Sequence, residues 1–307
     1  MYDFIIIGGG TTGLSAAMYA SRLGLKTLTL ATMPGGLITT THLVENWPGI
    51  KGISGPDLAM NMYSHAESTG AEIKGETVLS ITKNGDDKSM IFTVKTASNE
   101  YTGKSVLIAT GTEHRKLGIP GEKEFENKGV SFCALCDGAF YKEKKVCIVG
   151  GGDGAAKEAL FLTEHASEVY LVVRGDKLRA EPTNIDKVNA HKKITVLFKT
   201  ELEEILGDDK VTAVKFKEKE GGLKSGETID MDGVFLAVGH LPQTELAAEL
   251  GVELTPRGEI KIDRRSMTNI SGVFAAGDCT DTEFKQAITG SAEGVTAAYH
   301  AYHIASK

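Results

Sequence analysis

The feature that most constrains this chain is a strand, glycine loop and helix pattern that occurs twice. Phe4-Ile5-Ile6-Ile7 is a short apolar run, followed at once by Gly8-Gly9-Gly10-Thr11-Thr12-Gly13. A helical set runs on through Leu14, Ala17, Met18 and Ala20 to Leu23, and Thr27 to Leu30 reads as a second strand. Far downstream, Val146-Cys147-Ile148-Val149 leads into Gly150-Gly151-Gly152-Asp153-Gly154-Ala155, then a helix from Ala156 to Glu164 and a strand from Val169 to Val173. Short continuous apolar runs bounded by turn residues read as parallel strands buried on both faces. The interval between the two copies is much too long for a solenoid repeat. The pattern predicts an α/β protein with two Rossmann-like, three-layer ββα dinucleotide-binding domains. The 307 residues agree with two domains on a prior of ~100–200 residues each.

A second echo orders the domains. Val106-Leu107-Ile108-Ala109-Thr110-Gly111 resembles Val234-Phe235-Leu236-Ala237-Val238-Gly239, and a proline-containing connection follows each, at Pro120 and Pro242. Domain crossings placed there make the second domain an insertion in the first. The expected boundaries are 1–115 with 243–307 for one domain and 116–242 for the other. The stretches Glu72–Tyr101 and Ile194–Ile229 are strand-rich with polar turns, and small antiparallel sheets or meanders are expected there.

The glycine spacing has a physical reading. The first glycine makes the tight turn after the strand, the second lets backbone approach a pyrophosphate, and the third lets helix and strand pack closely. The helix N-terminus then offers free N–H groups to phosphate. Gly8, Gly10 and Gly13 fit this scheme, and so do Gly150, Gly152 and Ala155, with Asp153 inside the second loop. The second strand of such a unit often ends in an acid that holds the ribose. Leu30-Ala31-Thr32 has none, and the second unit has Arg174 at the matching place with Arg179 nearby. Both arginines can reach a 2′-phosphate, which favours NADPH over NADH. A third motif, Gly272-Val273-Phe274-Ala275-Ala276-Gly277-Asp278, is a buried strand ending where Asp278 can accept a bond from a ribityl hydroxyl. Lys285-Gln286-Ala287-Ile288 starts the last helix, whose N-terminus favours negative charge on a reduced flavin.

Ser131-Phe132-Cys133-Ala134-Leu135-Cys136-Asp137-Gly138 is the expected chemical centre. C-x-x-C at a helix start lowers the pKa of one thiol, and the thiolate is the nucleophile in disulfide exchange. Asp137 is placed to handle the thiol proton. The competing readings are a zinc site and an inert buried pair. Structural zinc takes four ligands, and the sequence has no second C-x-x-C and no His pair at metal spacing, so no metal is expected. Cys147 and Cys279 read as packing cysteines.

Net charge is −7, which argues against nucleic acid as the main partner. The N-terminus lacks the basic start and longer apolar run of a signal peptide. No apolar stretch is long enough to span a bilayer. One special cysteine pair and two isolated cysteines fit a cytoplasmic protein better than a secreted disulfide framework.

With these residues in place, the sequence resembles the low-molecular-weight thioredoxin reductases, class II of the pyridine nucleotide-disulfide oxidoreductases. The resemblance is carried by Gly8, Gly10 and Gly13; Glu45-Asn46-Trp47-Pro48-Gly49; Ala109-Thr110-Gly111; Cys133, Cys136, Asp137 and Gly138; Gly150, Gly152 and Ala155; Gly277-Asp278; and Gln286-Ala287. It implies a homodimer with FAD in the first domain and NADPH in the inserted one, and thioredoxin or a thioredoxin-like protein as partner. It further implies that Cys136 faces the flavin, that Cys133 attacks the partner disulfide, and that Asp137 is the acid-base. Two departures stand out. Val173 and Gly175 replace a His and an Arg of the family's nucleotide signature, leaving Arg174 and Arg179. Leu37 replaces a flavin-side Gln after Gly35-Gly36. The first departure keeps NADH, ferredoxin or a deazaflavin open as donor. A small-molecule dithiol oxidase and a non-enzymatic redox-sensing flavoprotein are the remaining alternatives.

Overall fold

A computed structural model describes residues 1–41, 43–85, 90–217 and 226–306, and at Cys136 the backbone alone. The chain opens with β1 (Tyr2–Ile7), α1 (Thr11–Arg22) and β2 (Thr27–Leu30), then α2 (Gly55–Ser68). Strands β3 (Glu72–Lys74), β4 (Val78–Asn84), β5 (Ile91–Thr96) and β6 (Glu100–Ile108) follow, and β7 (Thr112–His114) crosses out. Next come β8 (Val130–Ser131), α3 (Ala134–Asp137), β9 (Lys145–Val149), α4 (Asp153–Leu162), β10 (Glu168–Val173) and α5 (Pro182–Ala190). Strands β11 (Ile194–Phe198), β12 (Glu201–Gly207), β13 (Val211–Lys217), β14 (Thr228–Asp230) and β15 (Gly233–Leu236) lead to β16 (His240–Pro242), which crosses back. The chain closes with α6 (Glu245–Glu249), β17 (Val273–Ala275) and α7 (Ala287–Ala305). It divides into two compact units, Met1–Glu113 with Pro242–Lys307, and His114–Leu241.

In the first unit the strands run β3-β2-β1-β6-β5-β4, with β17 also on β6. β1 is parallel to β2 and β6, and β3 and β17 extend the parallel part. Successive residues of β1 enter opposite cores. Phe4 and Ile6 pack with Leu107 and Phe274, while Ile5 and Ile7 pack with Val106, Ile108 and Val273. This explains why the run reads as continuous rather than alternating. The 72–101 stretch contains the expected antiparallel meander, as β4-β5-β6, and differs in how it joins the fold. Its first strand joins the parallel sheet, and β4 and β5 are not free-standing. β6 pairs with β1 along one edge, and on its other edge Glu100–Gly103 pair antiparallel with β5 while Val106–Ile108 pair with β17. Backbone groups on this edge need partners, and β5 and β17 supply them in turn. Helix α7 approaches α1 closely because a Cβ at Gly290 or Gly294 would overlap Thr12.

The second unit has a parallel sheet, β11-β10-β9-β15-β8, and a separate antiparallel β12-β13-β14 sheet. The expected meander over 194–229 is therefore divided, with β11 taken into the parallel sheet. Val146 and Ile148 enter one core, and Cys147 and Val149 the other. Helix α4 starts at Asp153, earlier than the apolar spacing indicates, because the Gly152 carbonyl already accepts the Ala156 N–H at 3.1 Å.

Each unit ties its own crossing segments together. Gln243 N–H donates to the Gly111 carbonyl (3.0 Å) in the first, and Arg115 N–H donates to the Gly239 carbonyl (2.9 Å) in the second. Among the described residues, no helix is long and apolar enough to cross a membrane.

Candidate active site

The first glycine loop is shaped by contacts that only glycine permits. Gly8 has φ of 115°, and a Cβ there would run into the Ala109 carbonyl; one on Gly13 would run into the Gly8 carbonyl. Gly35 N–H donates to the Gly9 carbonyl (2.7 Å), and a Cβ on Gly36 would press on Gly10 Cα. The Gly35-Gly36 turn therefore lies against the loop. Gly10 caps α1 in extended conformation without any side-chain bond to the helix donors, the arrangement that leaves N–H groups for phosphate.

The ends of β6 and β17 meet beside this loop. Ala109 N–H donates to the Ile7 carbonyl (2.8 Å), Ala276 N–H to the Ile108 carbonyl (3.1 Å), and Thr110 Oγ1 to the Gln243 carbonyl (2.5 Å). Gly277 has φ of 82°, its N–H donates to Glu293 Oε2 (2.8 Å), and Thr12 leaves no room for a Cβ. Glu293 also takes a short hydrogen bond from Thr282 Oγ1. Burial raises the Asp278 carboxyl, against the pull of Lys285. Lys285 Nζ donates to Glu259 Oε1 (2.5 Å) and to the Asp278 carbonyl (3.1 Å). Gln286 is the extended cap before Ala287, and its Oε1 accepts from Asn46 Nδ2 at 2.9 Å. The sequence-predicted residues of this site are thus brought together within the first unit. Thr12, Glu259 and Glu293 were not singled out from sequence. The Gly290–Gly294 spacing on α7 is the signal that marks its close approach to Thr12.

The second loop repeats the geometry. A Cβ on Gly150 would overlap the Ala237 carbonyl, and Ala155 packs against Gly150 where the first loop has Gly13. Gly152 caps α4 with no side-chain bond. Arg179 N–H donates to the Gly151 carbonyl (2.7 Å), so the segment after β10 folds back along the loop. Arg174 and Arg179 are both exposed. The Asp153 carboxylate holds this segment in place: Oδ1 accepts from Glu181 N–H (2.9 Å) and Asn184 Nδ2 (2.8 Å), and Oδ2 pairs with Lys157 (2.9 Å).

Cys133 stands immediately before α3 and is disulfide-bonded. Its N–H donates to Ser131 Oγ (3.1 Å), and its carbonyl accepts the Asp137 N–H (3.2 Å). Cys136 lies in α3 with its side chain outside the described residues, and half-buried Asp137 ends that helix. Cys147 and Cys279 are free, fully buried thiols in the two apolar cores; burial pushes Cys147 up to about 12 and raises Cys279 too.

Residues 2–294 match the family model described as pyridine nucleotide-disulphide oxidoreductase. The chain belongs to this family. Among similar relatives of this oxidoreductase, the thioredoxin reductase of Listeria innocua is 41% identical over 303 residues, 98% of this chain and 93% of its own. The crystal structure of Lactococcus lactis thioredoxin reductase superposes with TM-score 0.93 at 39% identity, covering 100% of this chain and 99% of that one. That of T. acidophilum thioredoxin reductase gives TM-score 0.91 at 36% identity, with 98% of both chains covered. The oxidoreductase is a flavin-dependent enzyme that uses a pyridine nucleotide.

Proposed function

We propose that this oxidoreductase is an NADPH-dependent, FAD-containing thioredoxin-disulfide reductase working through Cys133 and Cys136. The observation that carries the reading is the chemical split among the cysteines. Cys133 is disulfide-bonded at a helix entry, whereas Cys147 and Cys279 are buried thiols with raised pKa. Bound FAD supplies a two-electron relay between the nicotinamide and a disulfide.

The first unit holds FAD. Gly8, Gly10 and Gly13 receive the pyrophosphate on α1, and Gly36, Asn46, Ala109, Thr110 and Gly111 line the approach. Gly277 and Asp278 meet the ribityl chain, and Gln286 with Ala287 presents the start of α7. The second unit holds NADPH on Gly150, Gly152 and Ala155, with Asp153 keeping the Arg179 segment on the loop and Arg174 and Arg179 meeting the 2′-phosphate. Cys133 attacks the partner disulfide, Cys136 is the flavin-side sulfur, and Asp137 handles the thiol proton. Phe140, 74% exposed and three residues beyond Asp137, offers a protein partner an apolar contact. The enzyme works as a homodimer in the cytoplasm, where a reducing milieu suits a cycling dithiol.

The test is Cys133→Ser in the holoenzyme. NADPH should still bleach the flavin, and thioredoxin reduction should cease. Retained thioredoxin turnover rejects the reading. A donor panel is run beside it: Arg174 and Arg179 without a third arginine favour a narrower preference for NADPH over NADH, and bleaching by neither nucleotide rejects both.

A further inference from the structure

The last helix grips the turn that ends β17. Ala275 and Ala276 give their N–H groups to the carbonyls of Ser266 and Ile108, at 3.0 and 3.1 Å. The N–H of buried Gly277 lies beyond these backbone partners, and a buried N–H needs an acceptor. Glu293 of α7 supplies it. Its Oε2 accepts the Gly277 N–H at 2.8 Å, and its Oε1 accepts from Thr282 Oγ1 at the far end of the same turn. The helix residue is itself fixed, because Ser266 Oγ donates to the Glu293 carbonyl at 3.0 Å. Within the turn, the Gly277 carbonyl accepts from the Thr280 N–H (2.9 Å) and Oγ1 (2.8 Å), and the Asp278 carbonyl accepts from Lys285 Nζ (3.1 Å). One polar group is left over. Among the described residues, none donates a hydrogen bond to the half-buried Asp278 carboxylate. The backbone around this acid is held on both sides while the acid itself is unengaged, an arrangement that presents it to a ligand.

We propose that Glu293 is a positioning residue for the flavin, holding Gly277 so that the Asp278 carboxylate is set to receive a ribityl hydroxyl. The proposal rests on the reading of Asp278 as the ribityl contact. Gly277 has a φ of 82°, and glycine is free to rotate about both of its backbone bonds. Each rotation swings Asp278. Glu293 fixes the peptide on one side of that pivot, and Thr280 fixes the peptide on the other. A hydroxyl that donates to a placed carboxylate makes a charge-assisted bond, stronger than a neutral one. Without the Glu293 acceptor, the Gly277 N–H is left unpaired and the pivot turns toward water. Glu293 therefore acts on the cofactor only through Asp278.

The experiment is flavin retention by the full-length holoenzyme, read on dilution as flavin released into a filtrate. It compares wild type, Glu293→Ala, Glu293→Gln, Asp278→Ala and the double variant of Asp278→Ala with Glu293→Ala. Glu293→Ala should raise the flavin dissociation constant about 10-fold, the lower end of the range for a lost charged hydrogen bond. Glu293→Gln keeps an acceptor for the Gly277 N–H and should hold flavin nearly as wild type does. In the Asp278→Ala background, Glu293→Ala should add nothing further, because the group it places is already gone. A merely structural residue would add its full factor in both backgrounds. Such additivity, or retention by Glu293→Ala equal to wild type, overturns the proposal. If Glu293→Ala does not fold, Glu293→Asp, whose shorter side chain draws the acceptor away from Gly277, replaces it under the same criteria. If Asp278→Ala holds no flavin, the single variants decide: a loss in Glu293→Ala that Glu293→Gln restores supports the proposal, and a loss shared by both overturns it. Asp278→Ala also scores the functional reading by itself. Retention equal to wild type defeats that reading and the proposal with it, whereas loss there with additivity defeats the proposal alone.

Discussion

Asn46 Nδ2 donates to Gln286 Oε1 at 2.9 Å, joining side chains 240 positions apart in sequence. The bond ties the Glu45–Gly49 segment to the cap of α7, within the proposed flavin site. A hydrogen bond of this kind contributes about 0.5–1.5 kcal/mol net. Asn46→Ala and Gln286→Ala, alone and combined, should show coupling of that size in flavin affinity. Strictly additive losses would show that the bond contributes nothing to holding the cofactor.

Gly13→Ala tests the first cradle. The added methyl meets the Gly8 carbonyl, and overpacking of this kind costs about 1–3 kcal/mol. The variant should be purified with less flavin per chain and a lower melting temperature. Gly24→Ala makes no new contact within the same part of the fold, but its φ of 81° imposes backbone strain alone. It should therefore keep its flavin, which separates loss of the cradle from loss of stability.

Arg174→Ala should weaken NADPH binding and leave NADH nearly unchanged. Loss of a charged hydrogen bond to the 2′-phosphate is worth about 1.5–3 kcal/mol. Arg179→Ala should act the same way on the side chain while its backbone bond to Gly151 persists. Titration of both nucleotides against each variant decides it, and equal losses for both would reject a phosphate-binding role.

The Lys285–Glu259 ion pair supplies a pH test. Its hydrogen bond from Lys285 is the main force holding the Glu259 carboxyl below its ordinary value. A carboxyl lowered in the folded state stabilises the fold in full above the unfolded value of ~4.3 and loses that contribution as pH falls through the folded value. Lys285→Met should lower the melting temperature at neutral pH, and the difference from wild type should close in acid. A difference independent of pH would mean that Lys285 acts through packing alone.

Much of the fold was readable from local patterns. The strands β1 and β9 announced themselves as unbroken apolar runs, and each glycine loop lay where a strand had to turn into a helix. The 72–101 and 194–229 stretches were harder because β-rich sequence has the same alternation whether it closes a small sheet or extends a large one. Which occurs depends on β5 and β17 sharing one edge of β6 and on β11 finding β10. Asp153 shows the same limit at a side chain. Its place in the loop marks it as a cofactor contact, and only the fold shows its carboxylate engaged by Glu181, Asn184 and Lys157.

The sequence by itself determined the two dinucleotide cradles and the cysteine motif, because each is built from neighbours within one short segment. Backbone turn, helix start and thiol spacing are local properties. Only the tertiary structure decided that Glu293 holds Gly277 and that Asn46 meets Gln286. A polar residue on a helix has the same spacing whether it faces water or a distant backbone donor. Packing of the helices decides which, and with it whether the group stays an ordinary surface charge.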